Sequence, residues 1–189
     1  MKKILALTFI VAVSLAIIAG GTEAQESKGG SYTKIPTVKG IEILKSGETA
    51  TDFKVKDIDD KEFRLKDCSG KDAVLLFFWS FFCGPCREEI PMINEMARAY
   101  GDKELAVVGI NLDGNEMKKA IDKFVVSEKI GFRIVFDELE GDAFRIADPY
   151  GVAGTPALFV INKKGMIAFS TMGAVTVPQL RGEIEKAIK

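Results

Sequence analysis

Ala73-Val-Leu-Leu-Phe-Phe-Trp79-Ser-Phe-Phe-Cys83-Gly-Pro-Cys86 joins a short apolar run to two thiols set two residues apart. An apolar run of this length, closed by a Gly-Pro break, suits a fully buried sheet strand better than an isolated helix. If that strand hands over to a helix, Cys83 falls at the helix N-terminus, where unpaired N–H groups and the helix dipole favour an anion. The setting stabilises the thiolate, which is the reactive form of the sulfur. The pattern is that of a redox-active dithiol.

Upstream of this stretch, Asp52-Phe-Lys-Val-Lys-Asp-Ile58 and Glu62-Phe-Arg-Leu65 alternate apolar and charged residues around the Asp59-Asp60 pair, which predicts a β-hairpin. Asp57, Asp59 and Asp60 lack the glycine and distal glutamate of a calcium-binding EF-hand loop, so they read as a solvated turn. The polar, glycine-containing segment before the hairpin reads as a flexible tether, assigned to residues 25–48. Residues 1–24 look like an export signal: Lys2 and Lys3, an apolar run from Ile4 to Ile18, then Ala19, Gly20, Gly21 and Ala24 as cleavage points. The run approaches the roughly 18–20 residues that span a bilayer, so an uncleaved N-terminal membrane anchor is the alternative. The folded domain is expected over residues 49–189.

Downstream, Ile90, Ile93, Ala97 and Tyr100 mark one face of a helix that starts at Pro85, with Pro91 inside it as an expected kink. Glu104–Ile110 and Phe132–Phe136 read as further strands, with an amphipathic helix carrying Met117, Ala120, Ile121, Phe124 and Val125 between them. A short helix is expected around residues 142–147. Ala157–Ile161 and Met166–Ser170, joined by Asn162-Lys-Lys-Gly165, predict an antiparallel hairpin, and Leu180, Ile184 and Ile188 a C-terminal helix. Such alternation predicts an α/β three-layer sandwich, a central mixed sheet with helices on both faces.

Composition narrows the chemistry. The 189 residues include no histidine, which excludes Ser-His-Asp hydrolysis, Cys-His proteolysis, histidine-ligated haem and mixed Cys/His zinc sites. Three cysteines fall short of a four-thiolate metal site, so neither a metal nor another cofactor is expected. A formal net charge of −1 argues against nucleic acid or an anionic membrane surface as partner.

Four features together resemble the TlpA/ResA group of thioredoxin-like proteins, the exported thiol-disulfide oxidoreductases of bacteria. Trp79 stands four residues before Cys83, Cys83-Gly-Pro-Cys86 forms the motif, Pro91 follows Cys86 by five residues, and Thr155-Pro156 opens a later strand. The resemblance covers about Thr49 to Lys189. It implies a mixed sheet, a cis bond before Pro156 and an inserted helix, here fitting Gly114–Ile130. It also implies that Cys83 attacks a substrate disulfide and Cys86 resolves the mixed disulfide, with Trp79, Gly84, Pro85, Thr155 and Pro156 as substrate-binding positions.

Glu89 matches the active-site glutamate of ResA-like proteins. Thioredoxins proper keep a buried aspartate six residues before the first cysteine, where this chain has Phe77. Three residues after Cys86 on a helix, Glu89 shares its face, and burial would raise its pKa and fit it to take the Cys86 proton. The alternative is a solvated helix residue, as Arg87 and Glu88 are expected to be. Trp79, Phe81 and Phe82 read either as an apolar collar around the dithiol or as core, and Cys68 as a partly buried bystander.

The expected function is an extracytoplasmic, monomeric thiol-disulfide oxidoreductase acting as a protein disulfide reductase. Gly-Pro between the cysteines is the dipeptide of reducing thioredoxins. The resemblance implies a membrane-embedded thiol electron donor and a protein disulfide substrate such as apocytochrome c. The rivals are a thiol peroxidase, whose Pro-x-x-x-Thr-x-x-Cys setting is missing, a copper chaperone, whose CxxxC and histidine are missing, and a non-enzymatic holdase.

Overall fold

The computed structural model of the chain describes residues 42–101 and 104–189; the expected signal segment and residues 25–41 of the expected tether lie outside them. The leading hairpin is present as β1 (Lys54–Lys56) and β2 (Glu62–Arg64), paired antiparallel with Val55 opposite Phe63. After a 3-10 turn at Leu65–Cys68 comes β3 (Ala73–Trp79), every residue of which is buried. Helix α1 (Gly84–Tyr100) follows, then β4 (Leu105–Asn111), α2 (Lys118–Ser127) and β5 (Arg133–Phe136). A small hairpin, β6 (Leu139–Glu140) with β7 (Ala143–Phe144), precedes β8 (Ala157–Ile161), β9 (Ile167–Met172) and α3 (Val177–Ala187).

The central sheet has the order β5-β4-β3-β8-β9. β3 is parallel to β4 and β4 to β5, while β8 runs antiparallel to both β3 and β9. A strand at the centre of such a sheet is covered on both faces, which is why β3 reads as an unbroken apolar run instead of an alternating one. Ala73, Leu75, Phe77 and Trp79 face a core shared with α1, α2 and α3. Val74, Leu76 and Phe78 face the opposite core, with Phe53, Phe63, Cys68 and Tyr150. That second layer is thin, built from the β1-β2 hairpin, 3-10 turns at Leu65–Cys68 and Asp148–Tyr150, and the chain between β7 and β8.

Pro91 lies inside α1, yet the helix runs unbroken over 17 residues from Gly84 to Tyr100. Gly84 and Pro85 occupy its first two positions, where a missing or unpaired N–H costs nothing because no intrahelical acceptor exists there. The expected helix over 142–147 is absent. Gly141, at φ 66°, turns the β6-β7 hairpin, Arg145 N–H donates to Glu138 O at 3.0 Å, and the N–H groups of Ile146 and Ala147 donate to the buried Asp137 carboxylate at 2.9 and 2.7 Å. A side chain takes the donors that a helix would have given to its own carbonyls.

Two further expectations change. Asp57 is only 8% exposed: it accepts the N–H groups of Asp59 and Lys61 and pairs with Arg133, so it organises its turn from inside. The expected tether ends earlier than residue 48, because Leu44 N–H donates to Tyr150 O at 3.0 Å, Gly47 N–H to Ile167 O at 2.8 Å, and Glu48 O accepts Ile167 N–H at 2.8 Å. This segment passes so close to Gly151 that a Cβ there would stand 1.9 Å from Glu42 O. At φ 68° the position suits glycine on conformational grounds as well. At the other sheet edge, Ile58 N–H bonds Ile134 O at 2.9 Å and Asp57 bridges to Val135.

Candidate active site

The turn Ser80–Phe82 leads from β3 into α1, and Cys83 caps the helix in extended backbone geometry. Its sulfur accepts the N–H of Cys86 at 3.1 Å, so one of the helix's unpaired donors points at the sulfur expected to carry charge in the reduced state. Cys83 and Cys86 form a disulfide, with Cα atoms 5.3 Å apart. Their surroundings differ: Cys86 is fully enclosed in the core beneath α1, whereas Cys83 is partly exposed.

The bond between Thr155 and Pro156 is cis. Ala157 pairs with Phe78, so Pro156 lies one step beyond the pairing, at the end of β3 from which the dithiol departs. Pro156 is buried and its carbonyl accepts Gly173 N–H at 2.8 Å, while Thr155 is partly exposed. The sheet register thereby brings together two motifs some 70 residues apart in sequence.

Glu89 is 6% exposed. Its Oε1 accepts Val175 N–H at 2.9 Å, and its Oε2 is buried with no hydrogen-bond partner. Burial pushes its carboxyl up to about 7, opposed by the Val175 N–H, which favours the anion. The carboxyl is thus buried on the face of α1 that carries Cys86, and its one recorded hydrogen bond goes to the loop before α3. Arg87 and Glu88 are exposed, as expected.

The aromatic residues divide. Trp79 is fully buried and stacks on Phe124 of the inserted helix α2, with ring centroids 5.9 Å apart, so its side chain supports the site from inside and cannot line a surface for substrate. Phe81 packs edge-on against Phe124 and Phe82, and the Arg87 guanidinium lies over the rings of Phe81 and Phe124 at 5.9 and 5.3 Å. Phe82 is 74% exposed beside the dithiol. Cys68 is a free, buried thiol in the core on the other face of the sheet.

Sequence reading passed over Asp113, whose carboxylate bonds the Ser80-Phe81 turn. The local signal was Asn111-x-Asp113 directly after a strand, a pattern that forms an Asx turn. Among the described residues, no group of three or more cysteine or carboxylate side chains is arranged to hold a metal ion, and no helix is long and apolar enough to cross a membrane.

The chemistry open to a helix-capping disulfide with one accessible sulfur, beside a cis-proline loop, is thiol–disulfide exchange, and the class so defined is that of the thioredoxin-like thiol-disulfide oxidoreductases. The chain belongs to the AhpC/TSA family, whose pattern it matches over residues 46–170. It is 33% identical over 145 residues to the thiol-disulfide oxidoreductase ResA of Bacillus thuringiensis, covering 77% of this chain and 80% of that one. Among solved structures it resembles a proposed thiol:disulfide interchange protein DsbE from Chlorobium tepidum, at 29% identity and a TM-score of 0.67, over 78% of this chain and all of the other. StoA from Bacillus subtilis is similar at 26% identity and a TM-score of 0.58, over 70% of this chain and 96% of StoA.

Proposed function

We propose that this oxidoreductase works as a reductase of protein disulfides outside the cytoplasm, with Cys83 as attacking and Cys86 as resolving thiol. The observation that carries the assignment of roles is the unequal burial of the two sulfurs. The Cys83 thiolate attacks one sulfur of a substrate disulfide, forming a mixed disulfide and releasing the first substrate thiolate. Cys86 loses its proton and attacks Cys83, which releases the second substrate thiolate and closes the Cys83–Cys86 disulfide. Two electrons pass to the substrate, and a membrane-embedded dithiol carrier returns them.

Glu89 is the acceptor for the Cys86 proton, since a buried carboxyl near neutrality can exchange one without a large energetic penalty. Gly84 and Pro85 keep the helix start low and free of bulky side chains, and Thr155 offers the face of the cis-proline loop to the substrate chain. The Gly-Pro dipeptide supports the reducing direction. The basic, then apolar, then small-residue start of the sequence supports export, and the resemblance to ResA-like proteins supports apocytochrome c as the substrate. Equilibration of Cys83–Cys86 with glutathione tests the direction: a potential near that of thioredoxin, about −270 mV, is expected, and one near about −120 mV would make the protein an oxidant.

A further inference from the structure

Asp113 belongs to none of the motifs above, yet its carboxylate holds the turn from which the dithiol emerges. β4 runs beside β3 with Asn111 opposite Trp79, and Leu112 N–H extends the ladder to Trp79 O at 3.0 Å. Asp113 then turns back over the end of β3. Its Oδ1 accepts the Ser80 hydroxyl at 2.7 Å, and its Oδ2 accepts Phe81 N–H at 2.6 Å and the Asn111 side-chain amide at 2.8 Å.

The carboxylate is itself aimed. Asp113 N–H donates to Asn111 Oδ1 at 3.0 Å, and Asn111 is fully buried, with its backbone carbonyl accepting Asp137 N–H at 2.9 Å. Ser80 passes the constraint forward: its Oγ accepts Phe82 N–H and its backbone carbonyl accepts Cys83 N–H, both at 3.1 Å. Every residue from Ser80 to Cys83 is bonded into this clasp, over a turn with no strand or helix of its own to define it. The Phe81 ring is held separately, against Phe124 and Arg87.

We infer that Asp113 is a positioning residue for the exchange reaction: its carboxylate fixes the Ser80–Phe82 turn and so holds the Cys83 sulfur at the N-terminus of α1, where the thiolate is stabilised. The inference rests on Cys83 as the attacking thiol. Asp113 has two effects of opposite sign, because its charge disfavours a nearby thiolate while its hydrogen bonds hold that thiolate where the helix favours it.

Two uncharged variants separate them. In Asp113→Asn the amide oxygen can accept the Phe81 and Asn111 N–H groups while its NH2 donates to Ser80 Oγ, so the clasp persists without charge. In Asp113→Ala charge and clasp are both gone. The measurement is the rate of iodoacetamide alkylation of Cys83 at pH 6 in the reduced full chain, read by fragmentation mass spectrometry that places the adduct on Cys83, so that Cys68, on another peptide, and Cys86, on the same one, do not contribute. Asp113→Ala should react about tenfold more slowly than Asp113→Asn, since alkylation follows the thiolate fraction. Equal rates, or a faster alanine variant, overturn the inference.

Should Asp113→Ala not fold, Ser80→Ala decides. Its alkylation should be about threefold slower than that of the unmodified chain, and an unchanged rate overturns the inference. A Cys83→Ser variant that still reduced protein disulfides would defeat the proposed function and leave the comparison of asparagine with alanine intact.

Discussion

Glu89 on α1 accepts the backbone N–H of Val175, 86 residues away along the chain, at 2.9 Å. Gly173, two residues earlier in the same loop, donates its N–H to the carbonyl of Pro156. The buried carboxyl of Glu89 and the cis-proline loop are therefore braced by one short segment between β9 and α3.

The first consequence is pH dependence. In the unfolded chain Glu89 ionises near its ordinary value of 4.5, and in the folded protein near 7. Between these limits the folded state binds more protons, so the contribution of Glu89 to stability is complete below pH 4.5 and is lost as pH rises through 7. In Glu89→Gln this loss disappears. From pH 4.5 to pH 8 the stability of the variant relative to the unmodified protein should rise by about 1–3 kcal/mol, solvent screening reducing the larger figure. Urea unfolding at the two pH values checks this, and a difference independent of pH would show that Glu89 ionises as an ordinary carboxylate.

The unequal exposure of the two sulfurs predicts which variant traps substrate. Cys86→Ser should accumulate a mixed disulfide between Cys83 and a protein substrate, visible as a reducible band on non-reducing gels. Cys83→Ser should accumulate none, because Cys86 is fully enclosed. Equal trapping by both variants would contradict the assignment of roles.

Phe82 exposes 74% of its surface and, among the described residues, makes one ring contact, with Phe81. Phe82→Ser should alter stability by less than about 0.5 kcal/mol. If the ring docks protein substrates, the variant's KM for a protein disulfide should rise about fivefold, the equivalent of about 1 kcal/mol of lost apolar contact. Its rate with a small aromatic disulfide should hold. A matching loss with both substrates would place the effect in the dithiol itself.

Cys68 should be silent. Burial, reinforced by the charges of Asp72 and Asp67, pushes its thiol above the ordinary range. With the dithiol oxidised, Ellman's reagent should find no thiol in the native protein and one after denaturation. Rapid reaction of the native protein would show that the second core opens readily.

The parts legible in the sequence are those whose cause is local. A short apolar run closed by a break suits a covered strand, a Gly-Pro step after Cys83 suits the opening of a helix, and the hairpin at Asn162–Gly165 is written in its turn residues. Glu89 is singled out by its match to ResA-like proteins, and helical spacing puts it on the face of Cys86. What the sequence concealed depends on partners far along the chain. Asp57 looked like one of three solvated acids until Arg133 was folded against it, and residues 142–147 looked helical until Asp137 took their donors. The resemblance puts Trp79 beside substrate, with core packing as the alternative, and the placement of Phe124 on the inserted helix decides that its ring lies inside.

The segment around residues 44–50 runs along β9, and the turn at Asp57–Ile58 leans on β5, so the two outer strands of the sheet each have part of their length covered. An uncovered outer strand is a template on which a second chain can extend the sheet, and thence the seed of an aggregate. By lying along the two outer strands, residues 44–50 and the turn at Asp57–Ile58 act as a guard against sheet extension by another chain.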